Sequence, residues 1–407
     1  MDSIPLSLYV HFPWCVRKCP YCDFNSHPVK GEFPEDAYIA ALIRDLDFEL
    51  SLATGHRPLA SIFFGGGTPS LFSGKAVATL LEAVQKRLAF APDIEITIEA
   101  NPGTADEANF RGYRAAGVNR LSLGVQSFDD AKLKALGRIH GADDARRAFA
   151  LARTAGFDNI NLDLMYALPG QAPEQAAADL QAAIALAPEH LSYYHLTLEP
   201  NTEFHARPPP LPDEDAAWDM QLAGQALLAQ AGYAQYEVSA YARPGRQCRH
   251  NLNYWRFGDY LGIGAGAHGK LTSMIPSADG RGWRVAPGEG VTRRARRKQP
   301  RSYLEAAGTR EALHEERIVA ASELPFEYAL NALRLNEGFA LPDFAGRTGL
   351  PESALDAPLR KAQGRGFVER EGAIVRPSAA GRTWLNQLTG LFLPSPGRPG
   401  VPHSEGL

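Results

Sequence analysis

The sequence holds little cysteine and no long apolar run. Four cysteines in 407 residues cannot staple a chain of this size, which excludes a disulfide-rich secreted scaffold and fits a reducing compartment. No stretch approaches the roughly 20 consecutive apolar residues that a bilayer-spanning helix needs. The start, Met1-Asp2-Ser3-Ile4-Pro5, lacks a basic region and an apolar core, so no secretory signal is expected. Neither sign of charge dominates. A formal net charge of −4 gives no global pull toward nucleic acid or an anionic membrane. What is present is ordinary for a globular protein, at 45% hydrophobic and 22% charged residues. The length allows one large domain and a smaller one. A cytoplasmic location is expected, with peripheral membrane contact left open.

Three of the four cysteines, Cys15, Cys19 and Cys22, share one short loop with spacing C-x3-C-x2-C. A closed structural zinc site needs four ligands, and a loop that converges three thiolates leaves a position open. Thiolates suit soft metals and above all iron–sulfur clusters. A cubane on three protein thiolates keeps one iron free for a ligand. The bland alternative, three buried thiols acting as small hydrophobes, fits poorly with Pro13, Arg17, Lys18 and Pro20 in the same loop.

Short β-branched or apolar runs alternate with helical periodicity through the first half. Strands are predicted at 6–12, 61–64, 94–100, 120–125, 159–165 and 191–198. Helices are predicted at 34–52, 74–88, 106–116, 129–136, 143–155, 173–186 and 214–231. Six consecutive βα units predict a parallel sheet with right-handed crossovers. The fold class is α/β, a partial (β/α)6 TIM-like barrel, with an open doubly wound sheet as the alternative. Barrels place their chemistry at the C-terminal strand ends. There the sequence sets the cysteines, Gly65-Gly66-Gly67-Thr68-Pro69, Glu99-Ala100-Asn101-Pro102, Gly124-Val125-Gln126-Ser127, and Asp163 with Leu168-Pro169-Gly170; strand six carries His195 and ends at Glu199-Pro200-Asn201. Three adjacent glycines offer a bare backbone that a ligand can approach closely. A nucleotide P-loop is discounted because its Gly-Lys-Ser/Thr ending is missing.

The cysteine spacing after a first strand, Tyr21 before the last cysteine, and Gly-Gly-Gly-Thr-Pro after the second strand resemble the radical S-adenosylmethionine (radical SAM) superfamily. Longer strings narrow the likeness: Tyr9-Val10-His11-Phe12-Pro13, Phe63-Phe64-Gly65-Gly66-Gly67-Thr68-Pro69-Ser70, Leu123-Gly124-Val125-Gln126-Ser127-Phe128, Leu136-Gly137-Arg138-Ile139-His140 and Asn161-Leu162-Asp163-Leu164-Met165-Tyr166. These are similar to the oxygen-independent coproporphyrinogen III oxidase family over roughly residues 5–270. The resemblance implies a [4Fe-4S] cluster on Cys15, Cys19 and Cys22. It also implies that SAM is held on the open iron and that an electron donor serves the cluster. It assigns Tyr9, Tyr21, Gly66, Gly67, Thr68, Glu99, Gln126, Arg138 and Asp163 to SAM. The chemistry is reasonable: two carboxylates for an ammonium or ribose, a guanidinium fork for a carboxylate, and an aromatic face for adenine.

The chain departs from the oxidase branch. Phe24 stands where that branch carries a fourth cysteine, the chain begins almost at strand one, and His250-Asn251-Leu252-Asn253-Tyr254-Trp255 resembles the H-N-x-x-Y-W motif of HemW-type haem chaperones. The resemblance then implies haem as cargo and haem proteins, in bacteria respiratory ones, as recipients. The oxidase, decarboxylating coproporphyrinogen III, is the alternative. His250 is the candidate axial ligand of haem, with Cys248 second; Tyr254 and Trp255 offer flat surface, and Arg249 and Arg256 offer cations for propionates. A structural histidine with a core aromatic pair is the competing reading. Residues 262–269 form a further glycine-rich turn.

Residues 276–301 lose periodicity and read as a linker, and their basic run, Arg293-Arg294-Ala295-Arg296-Arg297-Lys298, reads as its solvated face. Helices at 324–335, 341–347 and 353–363, a hairpin at 367–376 and a helix at 378–391 resemble a winged-helix module. Its third helix is too weakly basic for DNA, so no nucleic-acid role is expected. The expected domains are 1–240 (barrel), 241–310 (haem motif and linker), 311–392 (C-terminal module) and 393–407 (a Pro/Gly-rich disordered tail). Dimerisation and the number of SAM molecules, one or two, stay open.

Overall fold

The computed structural model describes residues 4–52, 57–276, 283–286 and 290–394. Strands β1 (Leu6–Phe12), β2 (Leu59–Gly66), β3 (Phe90–Ala100), β4 (Arg120–Gln126), β5 (Ile160–Tyr166) and β6 (His190–His195) pair in parallel in sequence order. The helices predicted between them are present, Glu35–Leu52 and Gly74–Gln85 among them. Strands two and three run longer than predicted, because Leu59 pairs with Phe90 and, after a register shift, the pairing resumes at Ser61 and Glu95.

Each strand alternates in the same sense. Leu6, Leu8, Val10 and Phe12 of β1 pack outward, as do Ile62 and Phe64, Ile96 and Ile98, Leu121 and Leu123, and Leu162 and Leu164, all in the main core beneath the helices. The opposite face is largely polar: Ser7, Tyr9 and His11; Glu95, Thr97 and Glu99; Arg120, Ser122 and Gln126; Asn161 and Asp163; His190, Ser192 and Tyr194. Groups on this face meet across intervening strands. Tyr194 Oη of β6 donates to Gln126 Oε1 of β4 at 2.7 Å. The sheet is therefore concave, and its two edge strands do not pair with each other. It is a partial barrel rather than a flat doubly wound sheet.

A seventh parallel strand, β7 (Asp259–Ile263), joins the open side of β1. Strands β8 (His268–Thr272), β9 (Val291–Arg296) and β10 (Leu313–Ile318) extend that edge antiparallel. The other edge is finished by Ala240–Ala242 and Ala234–Gln235. The basic run read as a solvated linker is thus an inner strand. Arg296 is buried against Asp45, at 2.8 Å, and Glu49 of the first helix. Arg294 binds Glu49 and Glu316. Arg293 donates to Tyr260 Oη and pairs with Glu327. The arginines are close in sequence, but their carboxylates lie up to 251 residues away, so the local sequence reads as exposed.

The C-terminal module has a three-stranded sheet of Phe339–Ala340, Ile374–Pro377 and Val368–Glu371 with helices around it. Its core, including Tyr328, Phe344, Leu359 and Val375, is continuous with Phe257 and Val291 of the barrel side. The expected last helix is two, Ala379–Thr383 and Leu385–Gly390, broken where Trp384 leaves helical geometry at ψ 41°. The predicted tail falls almost wholly outside the described residues. No described helix is long and apolar enough to cross a membrane.

Candidate cluster and cofactor site

The cysteine loop leaves the C-terminal end of β1 and is held on three sides. Trp14–Cys15 pairs in parallel with His27–Pro28. The glycine run after β2 passes beneath: Gly67 N donates to Phe12 O and Thr68 N to Trp14 O, each at 2.7 Å. A β-carbon at Gly67 would lie 2.5 Å from Trp14 O and 3.0 Å from Cys15 Sγ. Gly66 has φ +116°, and a β-carbon there would strike the His11 ring. On the third side Asn25 Nδ2 donates to Ala265 O at 2.8 Å and Lys298 O at 2.9 Å. Asn25 O accepts from His11 Nε2 at 2.8 Å. Burial holds His11 neutral, at about 4, so its Nδ1 accepts from Tyr9 Oη at 2.9 Å.

Among the described residues no three His, Cys, Asp or Glu side chains converge as the ligands of a single ion do. The three cysteines are nevertheless close neighbours. Burial lifts the Cys15 and Cys22 thiols, and negative charge on the other cysteines lifts them further. Three thiolates on one short loop suit a cubane whose corners each take one of them. Ser26 Oγ lies 3.7 Å from Cys22 Sγ and Arg138 Nη1 lies 3.6 Å from Cys19 Sγ. Arg138 donates to sulfur, and the Ser26 hydroxyl can donate once Cys22 is a thiolate, the kind of contact that tunes a cluster.

The residues expected to hold SAM gather inside the mouth beside this loop. Arg138 Nη2 donates to Gly124 O at 2.6 Å, while its Nε is buried with no partner. An unpaired guanidinium N–H beside the cluster loop is a vacancy for a carboxylate. Gly66 N donates to Glu99 Oε2 at 3.1 Å. Burial, helped by the nearby Asp163 carboxylate, pushes Glu99 up to about 8. Asp163 is raised by burial and tied down by Asn161 Nδ2 at 2.8 Å and Ser122 Oγ at 3.1 Å. Two carboxylates that cannot comfortably ionise together await a cation. Gln126 is held at φ +71°, a left-handed conformation rare for a residue with a side chain. Tyr21 packs on Phe204 with ring centroids 6.3 Å apart, next to Arg138 and Cys19. Thr68 is buried against Cys15. The donor set fits a [4Fe-4S] cluster carrying a zwitterionic, sulfonium-bearing ligand.

Sequence reading missed Tyr194 and Asn25. Tyr194 is the hub of the pocket, with Asp163, Tyr21, Arg138 and Glu99 all close enough to influence its phenol. Its only signal was an inward position on strand six. Asn25 follows directly on the cysteine motif, but its partners lie 240 and 273 residues on.

The expectation for His250 is not met in this structure. Helix Arg249–Trp255 plugs the end of the barrel opposite the strand C-termini. Glu95 caps its start, accepting from Arg249 N and His250 N at 3.1 Å each. Both imidazole nitrogens are engaged, Nδ1 with Ser61 Oγ at 2.9 Å and Nε2 with Tyr254 Oη at 2.8 Å. Burial pushes the ring down to about 3. No nitrogen is left for an iron. Cys248 is fully buried beside Glu95, its thiol pushed up to about 12. Trp255 lies under Arg334, 4.3 Å away, and Arg256 pairs with Glu337. Here the motif joins the barrel to the C-terminal module.

Against known proteins, the model of the Radical SAM superfamily matches residues 9–183 and that of the HemN C-terminal domain matches residues 319–384. "Heme chaperone HemW" of Escherichia coli (strain K12) is 51% identical over 389 residues, 96% of this chain and 98% of the relative. "Heme chaperone HemW" of Haemophilus influenzae is 48% identical over 392 residues, 96% of this chain and 98% of the relative. Among solved structures, coproporphyrinogen III oxidase (HemN) from Escherichia coli superposes with a TM-score of 0.78 at 24% identity, covering 96% of this chain and 90% of that one.

Proposed function

Because the chain belongs to the HemW family of haem chaperones, built on the radical SAM fold, we propose that it binds haem and delivers it to apo-haem proteins, respiratory ones in bacteria. The observation that carries this reading is the 51% identity through 96% of the chain, C-terminal module included. The likeness to the oxidase at 24% identity speaks for the fold alone.

The core keeps a full cofactor site beside this carrier role. When bound, the [4Fe-4S] cluster supplies an electron source and an open iron for SAM. Cys15, Cys19 and Cys22 hold it. The free Arg138 N–H meets the SAM carboxylate, and the backbone at Gly66 and Gly67 lines the amino-acid end. Glu99 and Asp163 accept from the cationic and hydroxyl-bearing parts, and Tyr21 covers the adenine. Thr68 and Gln126 complete the wall, with Tyr9 behind Glu99. An electron donor for the cluster is expected, and three free thiols on one loop fit a reducing compartment, the cytoplasm.

Anaerobically reconstituted protein tests the proposal. Stoichiometric haem binding, followed by transfer to an apo-haem protein with no loss of propionates from added coproporphyrinogen III, is expected. Multiple turnovers of the porphyrinogen would replace the chaperone reading with the oxidase.

A further inference from the structure

With His250 and Cys248 enclosed, the cargo needs another surface, and the cysteine loop offers one. Its inner side carries the three sulfurs. Its outer side carries two exposed apolar groups, Phe24 at 59% exposure, the highest of the large apolar side chains among the described residues, and Val16 at 50%. A bare phenyl ring on a loop fixed at both ends is not an ordinary turn residue. Three exposed cations border it. Arg17 and Lys18 follow Val16 directly. Lys18 Nζ reaches over to donate to Phe24 O at 3.1 Å, which fixes its charge at the Phe24 backbone. Lys298 is brought to the same loop by the bond from Asn25 Nδ2 to its carbonyl. None of the three forms an ion pair among the described residues, while Asp23 is the single exposed acid between them.

An apolar plate edged by unpaired cations matches a flat, apolar macrocycle with two carboxylates on one side. We propose that haem docks on the outer face of the cysteine loop, with Phe24 and Val16 against the ring and Arg17, Lys18 and Lys298 toward the propionates. This rests on the chaperone reading and gives that cargo its place. It also gives Phe24 a role at a position where the oxidase branch carries a thiol. Cargo and cluster then occupy two sides of one loop.

The test is an anaerobic titration of full-length, cluster-loaded protein with haem and with haem dimethyl ester, whose propionates are uncharged. Phe24→Ser and the double variant Arg17→Ala/Lys18→Ala are compared with the unaltered chain, iron content and melting temperature being measured for each. Expected is a roughly tenfold or greater loss of haem affinity in each variant at unchanged iron content. The ester should bind the unaltered protein more weakly than haem and show no further loss in the double variant. If Phe24→Ser disturbs the cluster, Phe24→Leu and the ester comparison on the unaltered protein still decide. Equal affinity of both variants and of the ester would overturn the docking face. So would a loss of haem in His250→Ala with none in Phe24→Ser, which would put the cargo at the opposite end of the barrel. A chain that binds no haem at all overturns the chaperone reading instead.

Discussion

Gly67→Ala is the most discriminating single change for the cofactor site. The new methyl carbon would sit 2.5 Å from Trp14 O and 3.0 Å from Cys15 Sγ. The first distance is about 1 Å inside ordinary non-bonded contact. The obstacle is backbone, so no rotamer change relieves it; the segment Trp14–Cys15 must move. Overpacking of this kind costs about 1–3 kcal/mol. Stretching the 2.7 Å bond from Thr68 N to Trp14 O adds about 1 kcal/mol. The apo chain should thus lose about 2–4 kcal/mol and melt several degrees lower. The larger effect is on metal, because sites tolerate only about 0.5 Å of misplacement and Cys15 is carried along. Anaerobic reconstitution followed by iron and sulfide analysis should find well under half the unaltered content. Gly364→Ala is the control: its β-carbon meets nothing within 4 Å, so iron content should hold and the helix should gain about 0.5–1 kcal/mol. A Gly67→Ala protein that loads iron normally and melts like the parent would refute the reasoning.

Three other outcomes follow from the geometry. Glu99, held near 8, is largely protonated at neutral pH in the apo protein, and a cation favours its ionised form. SAM binding should therefore release protons near pH 7 and tighten as pH rises through 8, and Glu99→Gln should flatten both effects in calorimetry across buffers. The apo protein shows the opposite trend, losing stability from Glu99 as pH rises from the usual carboxylate range to about 8. Arg296→Ala strands Asp45 and Glu49 in the interior and should cost about 3–5 kcal/mol in denaturant unfolding; a cost below about 1 kcal/mol, typical of a surface ion pair, would return the basic run to the solvent. His250→Ala leaves the buried Tyr254 hydroxyl without its partner and takes one of the two partners of Ser61, which keeps Ser7, and should cost about 2–4 kcal/mol. Because His250 is held near 3 and His11 and His140 near 4, the unfolded chain binds more protons below the ordinary histidine range. Stability should fall as pH drops from about 6.5 toward 4, and His250→Ala should soften that slope.

The six βα units were legible because their strands alternate so regularly and their helices carry clear apolar periodicity. The cofactor pocket was legible as a set of motifs at strand ends. What escaped was whatever depended on distant partners. Val291–Arg296 reads as a charged linker until Asp45 and Glu49 are set against it. His250 reads as an available imidazole until Ser61 fills one nitrogen. Tyr194 carries no motif, only a place in an alternation. In each case the local chemistry was read correctly and the partner, which decides between exposed and buried, could not be.

The anchoring of Asn25 has a consequence for the timing of synthesis. The three thiols leave the ribosome early, but the carbonyls of Ala265 and Lys298 that fix their loop are made 240 and 273 residues later. At roughly 5–20 residues per second the nascent chain spends about 15–55 s with its cysteines present and their cradle unmade. Metal loading on a finished cradle belongs after Lys298 is made, and a fragment that stops short of Ala265 would own every loop thiol yet lack the hold that shapes them.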